Sequence, residues 1–470
     1  MAGMTNDLDA GAVLAQIWNE AGCDPAALSR VRLTGDDPVL PGRFRVGTAA
    51  MASIAAAALA ASECWTIRTG RRQDVELDAR AAATAFRSER YLRVSGQRAG
   101  EVWNPVSGFY QAGDGRWIQL HCNFAHHRAG VLRVLGVEEK RDAVAAEIQR
   151  RKAGELEDVL AAADMCAGMV RTREEWHAHP QGRAIAGLPL FEITRIGDAP
   201  PEPPGEGVRP LSGVRVLDLT RVIAGPVCGR TLAEHGADVL AISAPHVPHM
   251  DGHVMDNGRG KLSARLDLRR HEDVGTLRGL VRHADVFVQS YRAGALGARG
   301  FSPPELAQLR PGLVYATLNA YGHAGPWHER RGFDSLVQCV SGIAHEGGVA
   351  AGIEGPKHLP AQALDHATGY LLAFGISVAL ARRARDGGSW LVRVSLARTG
   401  RWFDALGRAE GPDVKDPSVD DVGNLLEETD TPFGRLSHVA PAAKLSETPG
   451  RWERCAVPLG THAAAWPPKG

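Results

Sequence analysis

Leu211-Ser212-Gly213-Val214-Arg215-Val216-Leu217-Asp218-Leu219-Thr220-Arg221-Val222-Ile223-Ala224-Gly225-Pro226 is the stretch on which the fold turns. Val214 to Leu219 is an apolar run of strand length, Ala224-Gly225-Pro226 makes a turn, and Val227 to His235 reads as a helix ended by Gly236. Val239 to Ile242 is the next apolar run, so the segment is a βαβ unit. Further strands are predicted at Val286 to Gln289, Leu313 to Leu318 and Leu391 to Leu396, with helical stretches between them, including Asp273 to His283. Ser302-Pro303-Pro304-Glu305 fits a capping box that opens another helix. Strands alternating with helices predict an α/β fold: a Rossmann-like large domain with a parallel sheet covered on both faces. No GxGxxG follows the Val214 strand, which argues against a dinucleotide site.

Residues 199–210 are too rich in Pro and Gly for helix or central strand and read as a linker. They divide a large domain over 211–403 from what precedes it. Before the linker, residues 91–198 are expected to form a smaller α+β domain. Residues 1–90 carry an alanine-rich helix at Val46 to Ser62, too short and too weakly apolar for a membrane span. Residues 404–470 form a linker and tail expected to pack on the large domain, with the acidic Phe403 to Thr431 as a mobile connection. An internal echo links the two halves. Gly70 aligns with Gly387, an offset of 317 (387 − 70), and Val75 and Leu77 align with Val392 and Val394. Each copy reads helix, glycine turn, strand, a partial duplication in which Thr48 stands where the second copy has Asp365.

Composition sets the outer bounds. The chain has 470 residues, with Lys+Arg and Asp+Glu both 54, so the formal net charge is zero and no long-range field favours nucleic acid or an anionic membrane. Seven widely spaced cysteines without a CxxC pair predict a reduced, cytoplasmic protein without disulfides or structural zinc. Met1 to Ala10 lacks the apolar run of a secretory signal. His246, His249 and His253 have spacing open to a metal, but their Pro/Gly-containing loop lacks a rigid scaffold, and no metal site is expected there or at His126-His127.

The Leu211–Pro226 stretch resembles the opening of the family III CoA-transferases, the carnitine/bile-acid and formyl-CoA transferase group. The resemblance continues through Leu232 to Val239, Asp285 to Leu296, Leu318 to Pro326 and Gly332-Phe333-Asp334, and resumes in the tail at Leu445 to Gly450 and Pro458 to His462. Arg68 to Gln73, Tyr110 to Leu120, Glu174-Glu175-Trp176 and His179 to Gly182 resemble parts of the same family out of order. The small domain thus precedes the large one, as if a truncated first copy were fused to a second.

The resemblance implies transfer of CoA from an acyl-CoA donor to a carboxylic acid through a covalent aspartyl intermediate, with no permanently bound cofactor. In Ala361-Gln362-Ala363-Leu364-Asp365-His366-Ala367-Thr368-Gly369-Tyr370, Asp365 matches the family's nucleophile, although on spacing alone it reads as a helix N-cap. A helix N-terminus is expected to keep that carboxylate ionised. His366 beside it is open to an orienting role. Arg221, Val222, Ile223 and Ala224 match the family's CoA-flanking turn. Arg259 and Lys261 lie in a segment like its basic loop, as candidate phosphate contacts or a solvated loop. Ser290 and Tyr291 match a position that touches adenine or pantetheine, with ordinary packing as the alternative for Tyr291. Ala241-Ile242-Ser243-Ala244, Ala298 and Asn319 replace charged family residues, each worth about 1.5–3 kcal/mol as a charged hydrogen bond. Those losses keep open a catalytically degenerate CoA-binding scaffold. An α-methylacyl-CoA racemase is disfavoured because Phe333 stands where that chemistry needs a histidine, unless His366 substitutes. Family members form interlocked homodimers, and a homodimer is expected here.

Overall fold

The computed structural model describes residues 9–100, 103–411 and 414–468. Its centre is a seven-stranded sheet of β1 (Glu192–Gly197), β2 (Arg215–Leu219), β3 (Asp238–Ser243), β4 (Lys261–Arg265), β5 (Val286–Gln289), β6 (Val314–Asn319) and β7 (Ser389–Ser395). The order across the sheet is β4-β3-β2-β5-β6-β7-β1, parallel throughout except for the antiparallel edge pair β7 and β1. Alternate residues enter different cores: Val216, Val239 and Val288 pack on one face, Leu217, Leu240 and Phe287 on the other. This two-residue alternation buries both faces, which is why the strands read as near-continuous apolar runs. The chain runs from β2 to β3 and β4, then returns to β5 on the other side of β2. The crevice beyond the carboxyl ends of β2 and β5 is thus a topological switch point, where open α/β sheets bind ligands.

The edge strand β1 departs from the expected boundary, because residues 192–197 belong to the large sheet rather than the small domain. Without it the backbone edge of β7 would be left unpaired. The small domain keeps a three-stranded antiparallel sheet (Gly108–Gln111, Trp117–Leu120, Ala167–Met169) under helices Ala125–Leu135, Arg141–Ile148 and Ala153–Ala162, with a core including Ile118, Leu120, Val131 and Leu156. The segment expected to be a mobile connection is partly structured: Leu426–Thr431 and Gly434–Val439 form a hairpin that pairs with Arg93–Val94.

Four helices position the site: α1 (Val46–Thr69), α2 (Ala224–Glu234), α3 (Asp334–Val340) and α4 (Ala363–Asp386). α1 and α4 are long and apolar enough to cross a membrane, yet 83% and 100% of their most apolar windows are buried inside the protein, so both are core helices here. Both are 24 residues long, and their starts and ends differ by 317 (363 − 46 and 386 − 69), the offset of the sequence echo. Each stops at a glycine with positive φ, Gly70 at 74° and Gly387 at 67°, a conformation that costs other residues a Cβ clash. The strands repeat too. Val31–Thr34 pairs in parallel with Val75–Asp78, and Lys444–Leu445 pairs antiparallel on the other side. That small sheet copies the arrangement β6-β7-β1: Val75 faces Val31 and Leu445, as Val392 faces Ala316 and Ile193.

Candidate functional site

α2 and α4 meet at their N-terminal ends because Gly369 has no side chain. A Cβ there would lie 2.4 Å from the Ala224 carbonyl oxygen. This contact brings the turn after β2 to the start of α4. Within that turn Val222 has φ of 72°, the left-handed region that a β-branched residue rarely occupies. Such strain is held only where the surroundings impose it, and it concentrates at functional sites.

Asp365 is the third residue of α4 and is 7% exposed. Its N–H donates to Asp334 Oδ2 at 2.8 Å, and Asp334, the first residue of α3, also accepts from Gln338. The Asp365 carboxyl itself makes no hydrogen bond among the described residues. The expectation that the helix terminus keeps it readily ionised is corrected. Burial, followed by the nearby charges of Asp334 and Glu89, pushes its pKa well above the usual carboxylate value. Burial likewise lifts Asp334, to about 6.

A cavity of about 550 Å³ opens at the switch point. Arg221, Val222, Ile223 and Ala224 line it from the turn after β2, Ser290 and Tyr291 from the turn after β5, and Asp365 from α4. Seven of the nine residues singled out in the sequence are therefore brought together. Arg221 is held by a bond to the Pro248 carbonyl (2.7 Å) and lies over the ring of Phe124.

The other two residues do not line this cavity, although Lys261 lines a smaller neighbouring one with Arg221, Val222 and Tyr291. Arg259 is 2% exposed. Its guanidinium donates to Asp256 O and Oδ1, to His438 Nδ1 and to Val439 O, and stacks over Trp452. Lys261 pairs with Asp218 Oδ2 at 2.8 Å and donates to the Pro226 carbonyl, tying β2 to the start of α2. Both cations are paired with buried carboxylates, as a buried charge must be. His366 is fully buried, with Nε2 3.0 Å from Glu89 Oε2 and its ring stacked on Phe86, and it does not line the cavity.

Sequence reading missed the cations at the cavity mouth. Arg292, Arg330 and Arg331 line it with Arg221. Arg292 pairs with Asp164 at 2.7 Å, so its position depends on the small domain. Only Arg292 gave a local signal, two residues past Ser290 in the same turn; Arg330 and Arg331 lie in a loop without strand or helix pattern. His121 was missed as well. Its ring stacks on Phe333 with centroids 3.8 Å apart, and burial lowers its pKa to about 3, so it is neutral. His246 and His249 pair separately, with Asp267 and Asp251, and among the described residues no group of three His, Cys, Asp or Glu is placed to hold a metal. All seven cysteines are free.

A turn-lined crevice, four arginines and a buried aspartate meet at this one site. Comparison with known proteins finds that residues 211–405 match the model of CoA-transferase family III. The chain is 32% identical over 322 residues to an acetyl-coenzyme A transferase of Hypoxylon pulicicidum, covering 63% of this chain and 54% of that protein. It is 28% identical over 421 residues to an acyl-CoA transferase of Gibberella moniliformis, covering 79% and 73% respectively. A probable fatty acyl-CoA transferase of Mycobacterium tuberculosis is 34% identical over 211 residues, covering 41% of this chain and 52% of that protein. The chain thus spans about half the length of most of these relatives.

Proposed function

We propose that the whole protein is a CoA-transferase that moves CoA from an acyl-CoA to a carboxylic acid through Asp365. The carrying observation is that Asp365 opens onto the same cavity as the turn residues 221–224 and 290–291. A carboxylate oxygen of Asp365 attacks the thioester carbonyl carbon, the C–S bond breaks, and CoA leaves as thiolate. The thiolate then attacks the Asp365 side-chain carbonyl carbon of the mixed anhydride, and the donor acid departs as carboxylate. The acceptor carboxylate attacks the aspartyl thioester, expelling CoA thiolate, which attacks the acceptor acyl carbon and returns Asp365 as carboxylate. Thioester is exchanged for thioester, so no ATP is required. The raised pKa of Asp365 makes its anion a better nucleophile once formed, and burial leaves it little solvated. The N-terminal end of α2 and the Arg221, Arg292 and Arg331 cluster supply donors for the CoA phosphates.

The reading includes a homodimer with acyl-CoA and carboxylic acid as its only small-molecule partners. Incubation of acyl-CoA with isotope-labelled free acid, without ATP, tests it. Label appears in the thioester pool with the intact protein and not with Asp365→Ala. Equal exchange by both proteins rules out the route through Asp365. CoA binding without exchange for any donor favours the scaffold.

A further inference from the structure

Asp365 and His366 are neighbours in the first turn of α4. Successive residues of a helix point about 100° apart, so their side chains enter different surroundings. Asp365 faces the switch-point cavity and a second chamber of about 310 Å³, which Glu89, Asp334 and Arg90 also line. His366 points into the core, with its ring stacked on Phe86 and Nε2 3.0 Å from Glu89 Oε2. Its Nδ1 is buried and has no partner among the described residues, so the ring's hydrogen bond is the one to Glu89.

The Glu89 side chain is 5% exposed and belongs to the short helix Ser88–Tyr91, from the other half of the chain. That helix is anchored beside it. Ser88 donates to Asp256 Oδ2 at 2.6 Å, and Arg230 of α2 donates to the same oxygen at 2.9 Å. Segment 88–91 therefore ties α2 to α4 and fixes Glu89 between them. Burial alone would favour protonated Glu89, but the hydrogen bond from His366, and then Arg90 at 3.9 Å, bring its pKa below the usual carboxylate value. Asp256 opposes this only from a distance, its charge matched by Arg230 and Arg259. His253 and His121 are held neutral by burial, and Arg98 lines the chamber from an exposed position where solvent screens it. A fixed negative charge thus stands in the chamber that Asp365 faces, and Asp334 adds to it from α3.

Resting on the transfer reading, we propose that Glu89 and His366 are a positioning pair for Asp365: His366 keeps Glu89 ionised, and Glu89 sets its negative charge against the Asp365 carboxylate. The free carboxylate carries that repulsion. The mixed anhydride and the aspartyl thioester both lose it, because acylation removes the charge on Asp365. Attack on a thioester is therefore assisted by relief of repulsion within the protein.

Glu89→Gln keeps the size and an acceptor for His366 Nε2 but removes the charge. His366→Phe keeps the stack on Phe86 but removes the donor, and burial then protonates Glu89. Each should move the acid limb of kcat/KM to lower pH, by about one pH unit, and the double variant no further than either alone. The repulsion is the same whether a proton or an acyl group removes the charge. The ratio of acylated to free Asp365, read by mass spectrometry after acid quench, should therefore fall about tenfold for a limb moved by one pH unit. A purely structural pair would lower activity and leave the limb in place. A limb unmoved in Glu89→Gln, or shifts that add in the double variant, overturns the proposal, and Glu89→Gln alone decides it where His366→Phe does not fold. Infrared titration of the Asp365 carboxyl, its band assigned by its loss in Asp365→Asn, needs no turnover. If no CoA is transferred but the Asp365 midpoint falls in Glu89→Gln, the pair stands and the transfer reading fails. An unchanged midpoint overturns the pair whatever the exchange rate.

Discussion

α1 and α4 lie against each other, each 24 residues long, each ending at a glycine with positive φ, each capped at its start by an aspartate from a preceding loop or helix. Asp37 accepts from the N–H groups of Gly47 and Thr48 at the start of α1 as Asp334 accepts from Asp365 at the start of α4. Even the residues before them match, Arg45 at φ −77°, ψ 65° and Gln362 at φ −77°, ψ 60°. The third position differs: Thr48 in one, Asp365 in the other. Thr48 is 3% exposed and packed within the core, whereas Asp365 lines both cavities. The helix, its cap and its flanking strands recur in both halves, but only the half built on the large sheet has the β2 and β5 turns beside its helix. The backbone motif is therefore structural in both halves, and the proposed chemistry joins the carboxylate to the switch-point crevice.

The largest expected effect comes from erasing that difference. Asp365→Ala should lower CoA exchange about 10⁴-fold or more, the scale of losing a covalent nucleophile, with an unchanged melting profile. Thr48→Asp erases it the other way. It should create no second active site and should destabilise the protein by about 2–5 kcal/mol in denaturant titration, because the new carboxylate is buried beside the Asp37 carboxylate. Gly369→Ala attacks the contact that only α4 makes with the catalytic turn. It forces α2 away and should cost about 1–3 kcal/mol, with a loss of acyl-CoA affinity in the same variant.

Much of this was legible because short-range rules govern it. The Val214 strand, the glycine-ended helices and the 317-residue echo all follow from local pattern, and Ser302–Glu305 forms its capping box in the structure. The rest depends on contacts between distant segments. Arg259 and Lys261 read as candidate phosphate contacts or a solvated loop because sequence shows a basic loop but not the buried Asp256 and Asp218 that pair with them. β1 was assigned to the wrong domain because an edge strand takes its place from its neighbour β7, not from its own pattern. Glu89 beside Asp365 was invisible for the same reason: it lies 276 positions away (365 − 89) in a segment without a motif, whereas Asp334 stood in the Gly332-Phe333-Asp334 motif.

The smallest predicted effect concerns that acid cluster. With ionised Asp365 as the proposed nucleophile, kcat/KM should rise with pH along an acid limb set above the ordinary carboxylate range. Asp334→Asn removes a neighbouring negative charge while keeping an acceptor for the Asp365 N–H, so the limb should move to lower pH. A limb that stays in place would separate the two aspartates electrically.

Trapping at the two matched positions tests the central claim most directly. The protein is incubated with acyl-CoA, treated with hydroxylamine, and the peptides carrying residues 48 and 365 are weighed by mass spectrometry. A hydroxamate on Asp365, absent without acyl-CoA, is the predicted result. An adduct on any other residue, with Asp365 unmodified while CoA exchange proceeds, would contradict it.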